Sequence, residues 1–419
     1  MQQEKCSSGF SAEIRNKKGE KMARDVVIVE GARTAMADFV GAPNGGAFKN
    51  ISAIELGGLA IKGLLNRIKI DPSLIGEVIM GYGIQSSPDG GYGARHASLL
   101  GGMPHSVPAL TVGRTCGSGF QGIISGAKDI LLGETGFILA GGMENMSQAP
   151  YVLRGVREGF RMGSRPIEDW LVTNLFDSYC NLNMAQTADK LAKMYSVTRE
   201  DADLFAYESN MKASRAAAEG RFKEEIVPVQ IKTRKGPRFF DADDHIKSDT
   251  TMEILSKIPP AFDKDSIATG GNASGIVDGA GCILIADSDK AKQHGLEALA
   301  KVAGWAVVGV DPSIMGIGAA VSINKVLEKT GLKICDIDIF EINEAFGAQI
   351  VAVERELGLD RSKLNVNGGA IALGHPLGMS GVRLTYTLAL ELKKRNKRYG
   401  IASACTGGGQ GVAILLERN

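Results

Sequence analysis

Ser118-Gly119-Phe120-Gln121-Gly122-Ile123-Ile124-Ser125-Gly126-Ala127-Lys128-Asp129-Ile130-Leu131-Leu132-Gly133 reads as one helix, and Phe137-Ile138-Leu139-Ala140-Gly141-Gly142 as the strand and glycine turn that follow it. Phe120, Ile123, Ile124, Ala127, Ile130 and Leu131 fall at helical spacing on one face, and Gly133 supplies the stop. The same succession returns near the other end. Gly378-Met379-Ser380-Gly381 opens a helix through Leu392, Tyr399 to Ala404 makes a strand, and Gly407-Gly408-Gly409 follows. This repetition predicts a duplicated α/β unit. Further buried strands are expected over Asp25–Glu30 and Glu77–Gly81, with a helix from Ser52 to Leu65. Alternating strands and helices favour sheets covered by helices.

Between the repeats, roughly residues 146–276, the rhythm breaks. The stretch carries many charges and several prolines, with helical patterns over Ala185–Tyr195 and Arg199–Glu219. An insertion of this size is expected to form a lid or binding loops over the core.

The bulk composition excludes several classes. The chain has 419 residues, 44% of them hydrophobic, enough for a large buried core. A net charge of +1 gives no field to draw nucleic acid or an anionic membrane. No apolar run reaches membrane-spanning length. Six cysteines at 6, 116, 180, 282, 335 and 405 show no Cys-x-x-Cys spacing, which reads as a reducing compartment, and the cytoplasm is expected. The five histidines do not cluster at metal-ligand spacing, so no metal is expected. Gly81-Tyr82-Gly83 lacks the third glycine of a dinucleotide fingerprint. Residues 1–24 are polar with mixed charge, a poor transit peptide, and are read as a mobile extension, with Met22 a second possible start.

Four polar positions carry chemical meaning together. Cys116, in Thr115-Cys116-Gly117-Ser118-Gly119, stands where a strand turns into a helix, and unpaired N–H groups there are expected to lower a thiol pKa. Its bland alternative is a small core cysteine. His375 lies in the constrained loop Gly374-His375-Pro376, as a base for that thiol or as a structural histidine. Cys405 enters Thr406-Gly407-Gly408-Gly409, whose N–H groups can cradle a thioester oxyanion or merely turn the chain. Asn343 and Glu344 follow an apolar run, and capping of the next helix is the competing role.

With Gly141-Gly142-Met143-Glu144-Asn145-Met146-Ser147, Gly271-Asn272-Ala273-Ser274-Gly275, Asn343-Glu344-Ala345-Phe346 and Asn367 to Pro376 added to the two cysteine motifs, the chain resembles the thiolase family from about Arg24 onward. That resemblance implies an α/β fold of two pseudo-repeated halves in a layered αβαβα core with an inserted loop domain. Its divisions would be residues 25–145 plus 277–297, the loop domain 146–276, and residues 298–419. It implies cleavage of a 3-ketoacyl-CoA to acetyl-CoA and a shortened acyl-CoA, or the reverse condensation to acetoacetyl-CoA, within fatty-acid metabolism. Cys116 would be the acyl-accepting nucleophile and His375 its base. Asn343 would hold a water of the first oxyanion hole. Cys405 would move the proton at the acetyl carbon, and the N–H groups of Cys116 and Gly407 would form the second hole. Coenzyme A would be a co-substrate, with no tightly bound cofactor. Ser274, Ala273, Met184, Phe262, Met315 and Phe346 resemble family positions along the pantetheine and acyl path. The basic stretch Arg221, Lys223, Lys232, Arg234, Lys235 and Arg238 is a candidate contact for adenine and phosphates, or an ordinary solvated edge. A homodimer or homotetramer is implied.

Some residues depart from the family pattern: Gly113, Asn183, Ala319, Gly347 and Met379. Met379, close to His375, is expected to reshape the acyl pocket. Two rival readings are a decarboxylating ketoacyl synthase-like condensing enzyme, which lacks a second thiol, and a non-catalytic thiolase-like lipid-binding protein, which would have lost its thiols.

Overall fold

The structure, a computed structural model, describes residues 24–261 and 263–418. The extension expected over residues 1–24 lies, but for Arg24, outside the described residues, as does Phe262.

Nine strands among the described residues carry the core: β1 (Val26–Thr34), β2 (Glu77–Tyr82), β3 (Ala109–Val112), β4 (Phe137–Glu144), β5 (Val277–Asp287), β6 (Ala300–Gly309), β7 (Ile339–Ile342), β8 (Tyr399–Thr406) and β9 (Gln410–Glu417). They are hydrogen-bonded in the order β3-β2-β4-β5-β1-β6-β9-β8-β7. In the first half β2 runs parallel to β4, and β5 antiparallel to both β4 and β1. In the second half β7 runs parallel to β8, and β9 antiparallel to both β8 and β6. The two successions are the same, so the sheet is a duplicated unit. The halves meet through a short β1–β6 pairing at Val27–Lys301 and Ile28–Ala300.

Seven helices matter here: α1 (Ala53–Arg67), α2 (Ser118–Leu132), α3 (Met184–Met194), α4 (Arg199–Ala218), α5 (Gly318–Thr330), α6 (Gly347–Leu357) and α7 (Leu377–Lys394). Strand alternation divides the core into three hydrophobic layers. Leu139 and Met143 of β4 face α1 residues such as Leu56 and Ile61. Ile138 and Ala140 face the middle layer, with Ile123 of α2 and Leu384 of α7. Ile401 and Cys405 of β8 join Ile323 and Val326 of α5 in the third. Each fully buried Ile or Leu contributes about 1.5–3 kcal/mol. The result is five layers, α1, sheet, α2 with α7, sheet, α5, as the resemblance implied.

Local signals set the helix ends. Ser52 and Glu55 form a reciprocal capping box at α1, with Ser52 Oγ accepting the Glu55 N–H at 3.1 Å and Glu55 accepting the Ser52 N–H at 2.7 Å. Gly133 ends α2 with φ 83°. The central crossing is tighter than side chains allow. A Cβ on Gly119 would stand 2.9 Å from the Gly378 carbonyl oxygen and the Val382 nitrogen, so α2 and α7 meet backbone to backbone. Every residue of α7 from Leu377 to Leu392 is buried.

The stretch between β4 and β5 forms short hairpins together with α3 and α4. A buried charge cluster ties it down. Arg33 of β1 donates to Glu225 at 2.8 Å and to Asp243 at 2.7 Å, and Arg221 pairs with Glu225 at 2.9 Å. Arg221 is therefore part of this buried network, not a free cation of the expected basic stretch.

Candidate active site

From β3 the chain passes through Arg114 into a tight turn, Thr115–Gly117, before α2 begins. Thr115 has φ 42°, a left-handed conformation that a β-branched residue rarely adopts. Ser118 holds the turn: its Oγ accepts the Arg114 N–H at 2.8 Å and donates to the Thr115 carbonyl at 2.7 Å. Cys116 is thereby presented to a cavity of about 260 Å³, lined also by Ile84, Leu175, Met184, Leu377 and Gly407.

The expected lowering of the Cys116 pKa is corrected by the structure. Burial pushes the thiol up to about 11, although the N–H groups of Gly407 and of Cys116 itself point at the sulfur and oppose the rise. Desolvation outweighs the turn's dipoles, so the resting sulfur is protonated. Cys405 is buried at the end of β8, and its thiol is raised far by burial and then by neighbouring Cys116. The influence of Cys116 on the Cys405 thiol puts the two side chains near each other. The glycine turn after Cys405 has left-handed Gly408 and Gly409, φ 79° and 73°, which aims the Gly407 N–H back at Cys116.

His375 is buried at the head of α7. Its Nδ1 lies 2.6 Å from Ser380 Oγ, and that hydroxyl donates to the Pro376 carbonyl at 3.0 Å. A serine has one proton to give, so Nδ1 carries the imidazole proton and Nε2 keeps its lone pair. Nε2 faces Asn343 Nδ2 at 3.3 Å. Burial, then the Arg383 charge, lowers the His375 pKa to about 3, which keeps the ring neutral at rest.

Asn343 does not cap the next helix. Phe346 is the cap residue of α6 and makes no side-chain cap bond, while the Asn343 Oδ1 is buried without a hydrogen-bond partner among the described residues. Glu344 is spent on scaffolding, accepting from Ser209 Oγ at 2.7 Å, Asn365 Nδ2 at 2.7 Å and the Ile371 N–H at 3.1 Å.

Other expected residues gather around this centre. Met315 is buried in the same hydrophobic layer as Cys405, and Met184 and Phe346 pack against it. Ala273 bridges Phe346, the Ser274 N–H donates to the Ala345 carbonyl at 3.0 Å, and the His375 N–H donates to the Gly275 carbonyl at 2.9 Å. Arg234 lies outside this centre, exposed on the turn between Val229–Thr233 and Gly236–Phe240. Met379 is a correction. It packs into the layer with Met143 and Ala280, where a helical side chain beside Gly142 and Gly281 has to point, and does not line the cavity. Asn183 caps α3 in a box with Gln186. Gly347 is required because a Cβ there would stand 2.5 Å from the Ala202 carbonyl oxygen of α4.

Two residues escaped the sequence reading. Ser380 was visible only as part of a Ser-Gly pair opening a helix. Glu144 stood inside a quoted motif without a role. Its carboxylate accepts the N–H groups of Gly83 at 3.0 Å, Ile84 at 3.1 Å and Gly378 at 2.9 Å. It thus pins the cavity wall to the start of α7. Burial raises its pKa to about 7 despite those bonds.

A sulfur facing a cavity with two N–H groups aimed at it, a second thiol near it and an oriented neutral imidazole are the parts that an acyl-transfer centre needs. The chain matches the family descriptions "Thiolase, N-terminal domain" over residues 26–289 and "Thiolase, C-terminal domain" over residues 296–418. It is 46% identical over 397 residues to the human 3-ketoacyl-CoA thiolase, mitochondrial, covering 94% of this chain and 99% of that protein. It is 45% identical over 398 residues to the acetyl-CoA acetyltransferase of Pseudomonas aeruginosa, covering 94% and 100%. The crystal structure of human mitochondrial 3-ketoacyl-CoA thiolase superimposes with a TM-score of 0.91 at 45% identity, over 94% of this chain and 99% of that one, and the same human enzyme in complex with CoA with a TM-score of 0.90. The chain belongs to the thiolase family and is an acyltransferase.

Proposed function

We propose that this enzyme cleaves 3-ketoacyl-CoA with CoA, yielding acetyl-CoA and an acyl-CoA two carbons shorter, and runs the reverse condensation of acetyl-CoA to acetoacetyl-CoA. The observation that carries this is the Cys116 sulfur, facing a cavity with the Gly407 N–H aimed at it and Cys405 near it. His375 Nε2 takes the Cys116 proton as the sulfur attacks the keto carbon. The C2–C3 bond breaks, and its electron pair leaves as the enolate of acetyl-CoA. Cys405 gives that carbon a proton. CoA then attacks the acyl-cysteine, its thiol proton going to the Cys405 thiolate, while His375 returns a proton to the departing Cys116 sulfur. The oxygen of the acyl-cysteine rests on the N–H groups of Cys116 and Gly407. The enolate oxygen rests on His375 and on a water held by Asn343, a role its unpartnered buried Oδ1 supports. Two proton transfers at two places are served by two groups.

CoA, with which the human enzyme forms a complex, is a substrate here, and no tightly bound cofactor takes part. Ser274, Ala273, Met184, Met315 and Phe346 lie along its pantetheine and acyl path in this reading, and Arg234 meets the phosphates. A homodimer, or a dimer of dimers, belongs to the same proposal. Its support is β3, an edge strand without charge or proline whose Leu110 is 44% exposed. Residence in the cytoplasm rests on the free cysteines Cys116, Cys180, Cys282, Cys335 and Cys405. A tagged chain found inside an organelle would overturn that part.

The test is CoA-dependent conversion of acetoacetyl-CoA to acetyl-CoA, followed by mass spectrometry. Turnover is expected for the native enzyme and none for Cys116→Ala. Decarboxylative condensation of a malonyl thioester, without thiolysis, would favour the condensing-enzyme reading instead.

A further inference from the structure

Helix α7 is buried on every side, yet one of its faces is polar. Ser380, Arg383, Thr387 and Glu391 recur along it at helical spacing. Ser380 holds His375 Nδ1 at 2.6 Å. One turn further on, Arg383 Nη1 donates to Glu341 Oε2 at 3.1 Å, the two side chains being 2% and 0% exposed. Glu341 belongs to β7. Ile339 of that strand packs in the middle layer with Leu384 and Leu388 of α7, whereas Phe340 and Ile342 pack in the outer layer with α5. Alternation therefore turns Ile339, Glu341 and Asn343 toward α7. Asn343 keeps the strand's register, because its N–H donates to the Ser403 carbonyl of β8 at 2.9 Å. Two polar contacts thus join β7 to the head of α7, about 7 Å apart along the strand. One is Asn343 Nδ2 with His375 Nε2 at 3.3 Å, the other Glu341 with Arg383. The ion pair is poorly suited to adding stability. Glu341 Oε1 and Arg383 Nη2 are buried without a hydrogen-bond partner among the described residues. Desolvation of both charges offsets most of their attraction, and unpaired polar atoms add to that cost. Two apolar side chains would fill the layer as well, but would not fix one geometry between strand and helix.

We propose that Arg383, through its pair with Glu341, is a positioning residue for the reaction: it locks α7 to β7 so that His375 Nε2 and Asn343 face the same substrate oxygen. This rests on the thiolase reading above and deepens it. Arg383 touches neither substrate nor reacting atoms; it acts through the two elements that carry the imidazole and the amide. Its charge has a second effect. The charged groups of the elements around the head of α7 are Glu144 of β4 with Asp278 of β5 behind it, Glu341 of β7 and Glu344 just beyond, and Glu225 and Arg221 of the inserted stretch. The thiols of Cys116 and Cys405 complete the surroundings and are held protonated. Burial, and then the charge of Arg383, keeps the ring neutral at rest.

The experiment follows thiolysis of acetoacetyl-CoA against pH, with urea unfolding alongside, in the native enzyme, in Arg383→Lys and in the double variant Arg383→Met with Glu341→Leu. The double variant removes both charges at similar volume, so its urea midpoint is expected to stay near the native one. It should nevertheless lose about 10²-fold in kcat while KM stays within about threefold. Without the cation the imidazole takes a proton more readily, so the acid limb of kcat should move up by about one pH unit. Arg383→Lys keeps the charge but not the planar fork. It should leave the acid limb in place and lose only part of that kcat. A folded double variant with native kcat and an unmoved acid limb would overturn the proposal, as would a kcat loss that merely tracks the fraction of folded protein. Should the double variant fail to fold, Arg383→Lys decides: native kcat refutes the proposal, and a lower kcat at unchanged KM and stability supports it. No thiolysis by the native enzyme would instead sink the thiolase reading, and this proposal with it.

Discussion

A Cys116 thiol held at about 11 is protonated almost entirely near neutrality, so the proposed attack by its sulfur depends on an acceptor for its proton. In the proposed mechanism His375 is that acceptor, with Ser380 fixing its proton on Nδ1. The expected result is that His375→Ala loses about 10²–10⁴ in acylation rate near neutral pH. The sign of its pH dependence follows from the raised thiol pKa: with no base, the thiolate fraction climbs about tenfold per pH unit until roughly 11. The variant should recover steeply between about pH 7 and 10, measured by acetyl transfer from acetyl-CoA, whereas the native enzyme should not. A variant as flat as the native enzyme would contradict this role. Cys116, His375 and Cys405 were legible in the sequence because each sits within two residues of a glycine at a strand end or in a tight turn. Ser380 and Glu144 were not, since a serine and a glutamate announce nothing until the chain has brought a ring nitrogen or three N–H groups to them. The thiol's ionisation was misread for a related reason. Local dipoles are visible in a turn, but the burial that outweighs them is made by Ile84, Leu377 and the inserted stretch, far away in sequence.

Among the elements, α7 links the site to the fold. Its first turn is held by Glu144, and its crossing with α2 is glycine against backbone. Gly119→Ala would force those helices apart. A cost of about 1–3 kcal/mol is expected, seen as a lower urea midpoint with an unchanged slope. Full stability in that variant would show the crossing to be looser than described. Glu144 has a folded pKa of about 7, above its ordinary 4.5, so the native state holds the proton more tightly than the unfolded chain. That contribution is present below about 4.5 and is lost as pH rises through 7. Relative to Glu144→Gln, the native protein should therefore become less stable between about pH 5 and 7, at roughly 1.4 kcal/mol per unit, and level off above. A difference between the two that ignores pH would place the titration elsewhere. Helix α2 was readable from its one apolar face and its Gly133 stop. α7 was readable as a helix, but not as one buried on every side, because Arg383 and Glu391 look like a solvent face until Glu341 at 3.1 Å and Arg221 meet them inside.

At the level of the whole molecule, duplication explains the site. Strands β2-β4-β5-β1 and β7-β8-β9-β6 repeat one pattern, and Cys116 before α2 answers to His375 before α7. The crossing of the two helices brings these equivalent positions to one centre, and Cys405 reaches it along β8. The repeat was legible from two helix–strand–glycine successions. The way Met184, Leu175 and Leu171 close over the centre was not, since short hairpins carry no periodic signal. The division of labour between the sulfurs is tested most directly by locating the acyl group. Native enzyme, Cys405→Ala and Cys116→Ala would each be incubated with acetyl-CoA, digested and mapped by mass spectrometry. Acetylation of the Cys116 peptide is expected in the native enzyme and, more slowly, in Cys405→Ala, with condensation to acetoacetyl-CoA lost in the latter. Acetyl found on Cys405, or a Cys116→Ala protein labelled as fully as the native one, would contradict it.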